Sequence, residues 1–115
     1  MVKNMNNIIN EVEKLKEDIL SSDEYKEYRR FETRLDNNEE INDIITKIKR
    51  LQQAIIKKED KQEVTDKEEI ELQSLYKKLN TYDDYVNYIE ASKKFNEVIT
   101  YIQKEFENYF NQFIL

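Results

Sequence analysis

Carboxylates are the reactive group this chain holds in greatest number: Asp and Glu total 25 against 19 Lys and Arg, with no His and no Cys. Clustered carboxylates can grip hard cations, and paired ones can trade a proton, but each use has a spacing. A calcium loop needs oxygen ligands at alternating positions around a sharp glycine turn, and the chain has no Gly. A di-iron carboxylate bundle needs Glu-x-x-His pairs. The acidic residues fall instead at helix starts and on outer faces, where solvated carboxylates belong. Without Cys or His there is no thiolate nucleophile, no imidazole base near neutral pH and no ligand set for zinc, haem or an iron–sulfur cluster. Without Gly there is no loop to cradle phosphates. Ser21 and Ser22 read as helix caps, and Ser74 and Ser92 sit in no recognisable nucleophile context. The expectation is a protein that is not an enzyme and uses neither cofactor nor metal.

Two other groups of side chains remain. Lys47, Lys49, Arg50, Lys57 and Lys58 gather along one stretch, and Arg29, Arg30 and Arg34 interleave with Tyr25, Tyr28 and Phe31; both patterns can meet phosphates. The net charge is −6, and long lysine stems commonly cover the edge of an apolar stripe. Direct RNA contact is therefore the lesser reading. The second group is a repeat: residues 22–28 read SDEYKEY and residues 82–88 read YDDYVNY, an acidic pair followed by tyrosines at i and i+3. One reading is a pair of pseudo-symmetric helix starts, with Asp23, Glu24, Asp83 and Asp84 against the positive end of the helix dipole. At the same offset Leu35 aligns with Phe95 and Phe31 with Ala91, so a large and a small residue can meet across a crossing. The other reading is a partner-binding surface made of Tyr25, Tyr28, Arg29, Tyr85 and Tyr88, since Tyr joins rigid area to a polar tip.

Helices must position all of these. Charged and apolar residues each make up 38% of the chain, and the apolar ones are periodic, which argues for folding over disorder. With no Gly and no Pro, turns have to be built from Asn, Asp, Ser and Thr. Ser21 with Glu24 and Thr65 with Glu68 have capping-box spacing, and Asn37 with Glu40 and Thr81 with Asp84 are looser versions. Ile8, Val12, Leu15 and Ile19 stripe a helix over about 3–20. A short charged helix over about 23–35 carries Tyr28, Phe31 and Leu35. The clearest seam, Ile41, Ile44, Ile45, Ile48, Leu51 and Ile55, runs over about 38–58. KEDKQEVT, residues 58–65, reads as an exposed turn, after which Leu72, Leu75 and Leu79 mark a fourth helix. A fifth spans 83–113. Short loops make antiparallel neighbours, so the expected fold is all-α: one domain over 1–115, about five helices, built on a long antiparallel hairpin with a long C-terminal helix. The two tyrosine-led helices, second and fifth, are each expected at an end of that hairpin.

The C-terminal run FENYFNQFIL is unusually aromatic. Phe106, Tyr109, Phe110, Phe113, Ile114 and Leu115 cannot all reach one core from one helix end, and burying each is worth roughly 1.5–3 kcal/mol. The expectation is a homo-oligomer, most simply a two-fold dimer of packed last helices, with Phe106, Tyr109, Phe110 and Phe113 at its interface. Polar interruptions and the missing basic flank weigh against a membrane-surface helix. No apolar run approaches the roughly 18 residues of a membrane span, and the polar start is unlike a secretory signal. The expected location is the cytoplasm.

Taken in order, Ser22, Asp23, Glu24 and Tyr25; Asn37 to Glu40; Leu51, Gln52 and Gln53; the turn at 58–66; Leu72 to Leu79; and Tyr85, Tyr88 and Ala91 resemble the YlbF/YmcA family of small helical bacterial regulators, over about residues 5–110. The resemblance implies a non-enzymatic adaptor that binds protein partners, with relatives acting in a complex that stimulates the membrane-associated ribonuclease Y and so affects mRNA processing, competence, sporulation and biofilm formation. Asp23 stands where the family has Pro, Phe31 where it usually has a small residue, and no cysteine-bearing tail is present. The likeness is to the shorter, cysteine-free branch. An RNA-binding module and a purely structural self-associating bundle are the alternatives.

Overall fold

The computed structural model describes the backbone of residues 2–114 and the side chains of residues 4–114; Leu115 of the aromatic tail lies outside them. The chain forms five α-helices: α1 Val2–Leu20, α2 Asp23–Asp36, α3 Glu39–Asp60, α4 Asp66–Leu79 and α5 Asp83–Asn111. No strand occurs among the described residues, so the all-α class is as expected. α3 and α4 pair closely as the antiparallel hairpin. The chain divides into two compact units, Phe31–Glu90 on the one hand and Met1–Arg30 with Ala91–Leu115 on the other. The division falls within α2 and within α5.

In the unit Phe31–Glu90, Ile41, Ile44 and Ile48 of α3 meet Leu79 of α4 and Leu35 of α2, with Ile45, Leu72, Leu75, Tyr82, Tyr85 and Tyr88 packed around them. Ile41 is fully buried and Leu79 nearly so. The 3–4 spacing of the isoleucines turns one stripe of α3 toward α4, and each buried side chain contributes roughly 1.5–3 kcal/mol. α2 contributes Leu35, at its C-terminal end, to this core.

The hairpin turn shows how a glycine-free chain stops a helix. α3 runs on to Asp60, taking the first three residues of the stretch expected as a turn, because the helical ladder persists until a left-handed residue breaks it. That residue is Gln62, φ 58°. The Gln62 N–H donates to the Glu59 carbonyl at 3.0 Å and the Glu63 N–H to the Lys58 carbonyl at 2.8 Å, a Schellman arrangement normally finished by Gly.

The helix starts are shifted from their expected caps. Asn38, not Asn37, caps α3, its side-chain oxygen accepting from the Ile41 N–H at 3.1 Å. Ser22, not Ser21, caps α2, accepting from the Tyr25 N–H at 3.2 Å, while Ser21 donates back to the Glu17 carbonyl at 2.9 Å. Thr65 stands at the start of α4 without a side-chain cap bond; its hydroxyl donates to Glu69 at 3.2 Å and Glu68 is taken up by Lys58. Thr81 donates to the Lys78 carbonyl at 2.6 Å, closing α4 instead of opening α5.

In the other unit, Leu15 and Ile19 of α1 and Phe95, Val98, Ile99 and Ile102 of α5 are only half-buried. Among the described residues Ala91 is the one buried side chain of this unit.

Candidate functional site

The five residues expected at a partner surface fall in both units and have different surroundings. Tyr25 and Tyr28 start the apolar face of α2 and close on Phe95 of α5. Tyr28 stacks on Phe95 with ring centroids 5.4 Å apart and planes at 20°, and Tyr25 leans on the same ring at 5.3 Å and 58°. The two tyrosines sit 6.5 Å from each other. Offset and tilted ring pairs of this kind add about 0.5–1.5 kcal/mol beyond simple burial, so this trio is a rigid platform with both tyrosine rings half exposed. Arg29 is exposed beside it.

Tyr85 and Tyr88 belong to the other unit and pack against its core with Tyr82. Burial pushes the Tyr85 phenol above its ordinary value, and the neighbouring Tyr76 and Tyr88 add to that. Tyr82, not among the expected residues although it opens the second copy of the repeat, donates to Glu40 at 2.9 Å. That hydrogen bond, followed by burial and the Glu40 charge, holds the Tyr82 phenol above 10.0. The bond ties the start of α5 to the first turn of α3. Phe95 was likewise missed as a site residue; its alignment with Leu35 pointed to structure, not to the ring it offers the tyrosines.

The basic residues separate into engaged and solvated groups. Lys58 is bound to Glu68 across the hairpin; the hydrogen bond to Glu68 raises the Lys58 pKa against a smaller opposing effect of burial and lowers that of Glu68. Arg34 lies 3.9 Å from Asp84 and 5.4 Å over the ring of Phe31, and Arg30 lies 3.7 Å from Glu27. Lys47, Lys49, Arg50 and Lys57 are exposed along α3. The sequence cluster of five is thus four solvated cations and one committed to an ion pair.

At the far end of α5 the expected interface residues are in the open. Phe106 is 42% exposed, Tyr109 55%, Phe110 51% and Phe113 69%. They touch chiefly one another: Phe106 stacks on Phe110 at 5.7 Å, and Tyr109 meets Phe113 edge-on at 5.1 Å. Leu15 of α1 joins Ile102, Phe106, Tyr109 and their polar neighbours around an open groove of about 490 Å³. Chemically, aromatic platforms, an apolar groove and exposed cations suit binding. Among the described residues no three His, Cys, Asp or Glu stand close enough to hold a metal ion, and no helix is long and apolar enough to cross a membrane.

A protein-family profile described as control of competence regulator ComK, YlbF/YmcA, matches residues 8–109. Among solved structures the chain is similar to a chain in the X-ray crystal structure of Bacillus subtilis RicA in complex with RicF, with a TM-score of 0.76 and 17% identity over 95% of this chain and 97% of that one. At that identity the likeness is one of fold. No curated protein matches the sequence closely enough to report.

Proposed function

Because the chain belongs to the YlbF/YmcA family, we propose that it is a non-enzymatic regulatory adaptor that acts by binding protein partners in the cytoplasm, with residues 1–115 working as one functional domain. The family match over residues 8–109 carries this reading. The similar solved structure, RicA held with RicF, supports a protein partner over a small-molecule substrate. The finer proposal is that the partner belongs to a ribonuclease Y-type mRNA-processing complex and that the outcome is developmental: competence, sporulation or biofilm formation. Tyr25, Tyr28 and Arg29 on α2, with Tyr85 and Tyr88 on α5, are the proposed contact residues. The half-exposed Tyr25–Tyr28–Phe95 platform supports that role, since rigid aromatic area costs little entropy on binding. The chain also self-associates in this proposal, as a two-fold dimer through Phe106, Tyr109, Phe110 and Phe113.

Capture of the tagged chain from its own cell lysate after nuclease treatment, with mass-spectrometric identification of what co-purifies, tests the adaptor. Recovery of a ribonuclease together with family members is the expected result, lost on Arg29→Glu with helicity retained. Loss of every partner on nuclease treatment alone overturns it in favour of RNA contact through Lys47, Lys49, Arg50 and Lys57.

A further inference from the structure

The outer face of α3 carries charge of one sign. From Ile44 to Lys58 the sequence reads IITKIKRLQQAIIKK, five cations and no carboxylate, in a chain whose net charge is −6. Lys47, Arg50, Ala54 and Lys57 step by three, four and three, so at about 100° per residue they share one stripe. That stripe faces away from the Ile41, Ile44 and Ile48 seam of the core. Lys47, Arg50 and Lys57 are exposed. Among the described residues no ion pair engages them, whereas Lys58 is held by Glu68. Lys49 lies about 100° around the helix from Arg50, off the stripe. Ala54, between Arg50 and Lys57, is a low point where another backbone can come close. The stripe is also finite, about 15 Å from Lys47 to Lys57 at the helical rise. Glu39 and Asp43 precede it on the same face, and beyond Lys57 the chain alternates in sign through Glu59, Asp60, Lys61 and Glu63, all exposed.

We propose that this stripe docks a short acidic helix of a protein partner, with carboxylates spaced by three and four set against Lys47, Arg50 and Lys57. The surface shares no residue with the tyrosine contacts or the α5 interface put forward above, so it goes beyond the adaptor reading. Charge and length together select the occupant. A nucleic-acid strand or a lipid surface continues past a stripe of this length and would press its phosphates against the carboxylates at each end, in a chain that is acidic overall. A helix can stop where the cations stop. The spacing points the same way, since cations one helical period apart are met together by a second helix with the same period, and charge pairs between helices set partner choice and orientation. An isolated exposed pair contributes little. Three met at once, with attraction from a face of one sign, give register and a faster encounter.

The test is fluorescence anisotropy with the full chain at low salt. The probe is a labelled, stapled helical peptide of about 14 residues, matching the cation-rich stretch, with glutamates three, four and three residues apart. Its comparators are a peptide of the same composition with the glutamates spread around the helix, a single-stranded oligoribonucleotide, and phosphatidylserine vesicles. The spaced peptide is expected to bind at least about 10-fold tighter than the spread one, and Arg50→Glu with Lys57→Glu to weaken it at least about 10-fold, with circular dichroism unchanged. Lys49→Glu, the same change of charge off the stripe, is expected to weaken it less than about 3-fold. If the paired reversal disturbs the helix, Arg50→Gln with Lys57→Gln takes its place, with a loss of about 5-fold expected. Equal binding of the two peptides, or as large a loss at Lys49 as at the stripe, overturns the docked helix in favour of diffuse attraction. Tighter binding of the oligoribonucleotide or the vesicles overturns it in favour of that partner, and a spaced peptide that does not bind overturns it outright.

Discussion

Residues 31–90 bury their stripes against one another, while α1, the start of α2 and the rest of α5 carry stripes of equal regularity that are bare along much of their length. Helical periodicity is the same in both units; what differs is the number of faces that converge. α3 meets α4 closely, and Leu35, Tyr82, Tyr85 and Tyr88 add surfaces from α2 and α5, so Ile41 is closed off from every side. In the other unit the described residues of the α1 and α5 seams are half-buried at best, and Met5, Ile8, Val12, Phe106, Tyr109 and Phe113 are exposed. An amphipathic helix shows only that it has a face to bury, and the fold decides whether that face is spent inside the chain or kept for an assembly.

The contrast breaks most readily through its largest effect. Ile41→Ala or Leu79→Ala leaves a cavity in the closed core and is expected to lower stability in urea by about 2–5 kcal/mol. Val12→Ala, at protein concentrations too low for association, is expected to change it by less than about 0.5 kcal/mol. Equal losses at the two places would mean that the bare seam is covered within the monomer. Next in size is the α3 cap at the edge of the core. Asn38→Ala is expected to cost about 1 kcal/mol, and Asn37→Ala almost nothing, since only Asn38 takes up the Ile41 N–H. Denaturant midpoints of the pair read this directly.

At the hairpin turn, Gln62→Gly relieves a left-handed backbone, φ 58°, and is expected to stabilise by about 0.5–1 kcal/mol. The smallest effect is a pH dependence. The Tyr82 phenol is raised in the folded state, first by its hydrogen bond to Glu40. Its contribution is therefore fully present below the ordinary phenol value near 10.0 and is lost as pH climbs through the raised folded value. Melting temperatures of Tyr82→Phe and wild type are expected to differ at neutral pH and to converge in alkali; Tyr85, raised by burial, titrates in both proteins and cancels in the difference.

Several local choices could be narrowed by sequence but not decided. Adjacent residues of equal capping ability, Ser21 and Ser22 or Asn37 and Asn38, both satisfy the pattern, and the one that caps is set by where the backbone leaves the preceding helix. The Asn38 N–H is held by the Leu35 carbonyl at 3.0 Å, which turns Asn38 rather than Asn37 toward α3. The repeat of acidic pairs and tyrosines was visible as a repeat, yet its two copies do unlike work. Tyr25 and Tyr28 find the Phe95 ring, and Tyr85 and Tyr88 join an aliphatic core, because each meets whatever helix lies opposite. Lys58 looked like one of five basic residues until the hairpin brought Glu68, ten positions on, against it.

From the sequence alone follow five helices and their order, the antiparallel hairpin, the missing thiol and imidazole chemistry, and an aromatic tail too large for one helix end to bury. Those properties depend on period, composition and short-range spacing, which the chain carries locally. Only the tertiary structure decided which seam becomes a closed core and which stays bare, and which cation is neutralised. These depend on which distant faces converge, and burial is a property of the neighbours as much as of the residue.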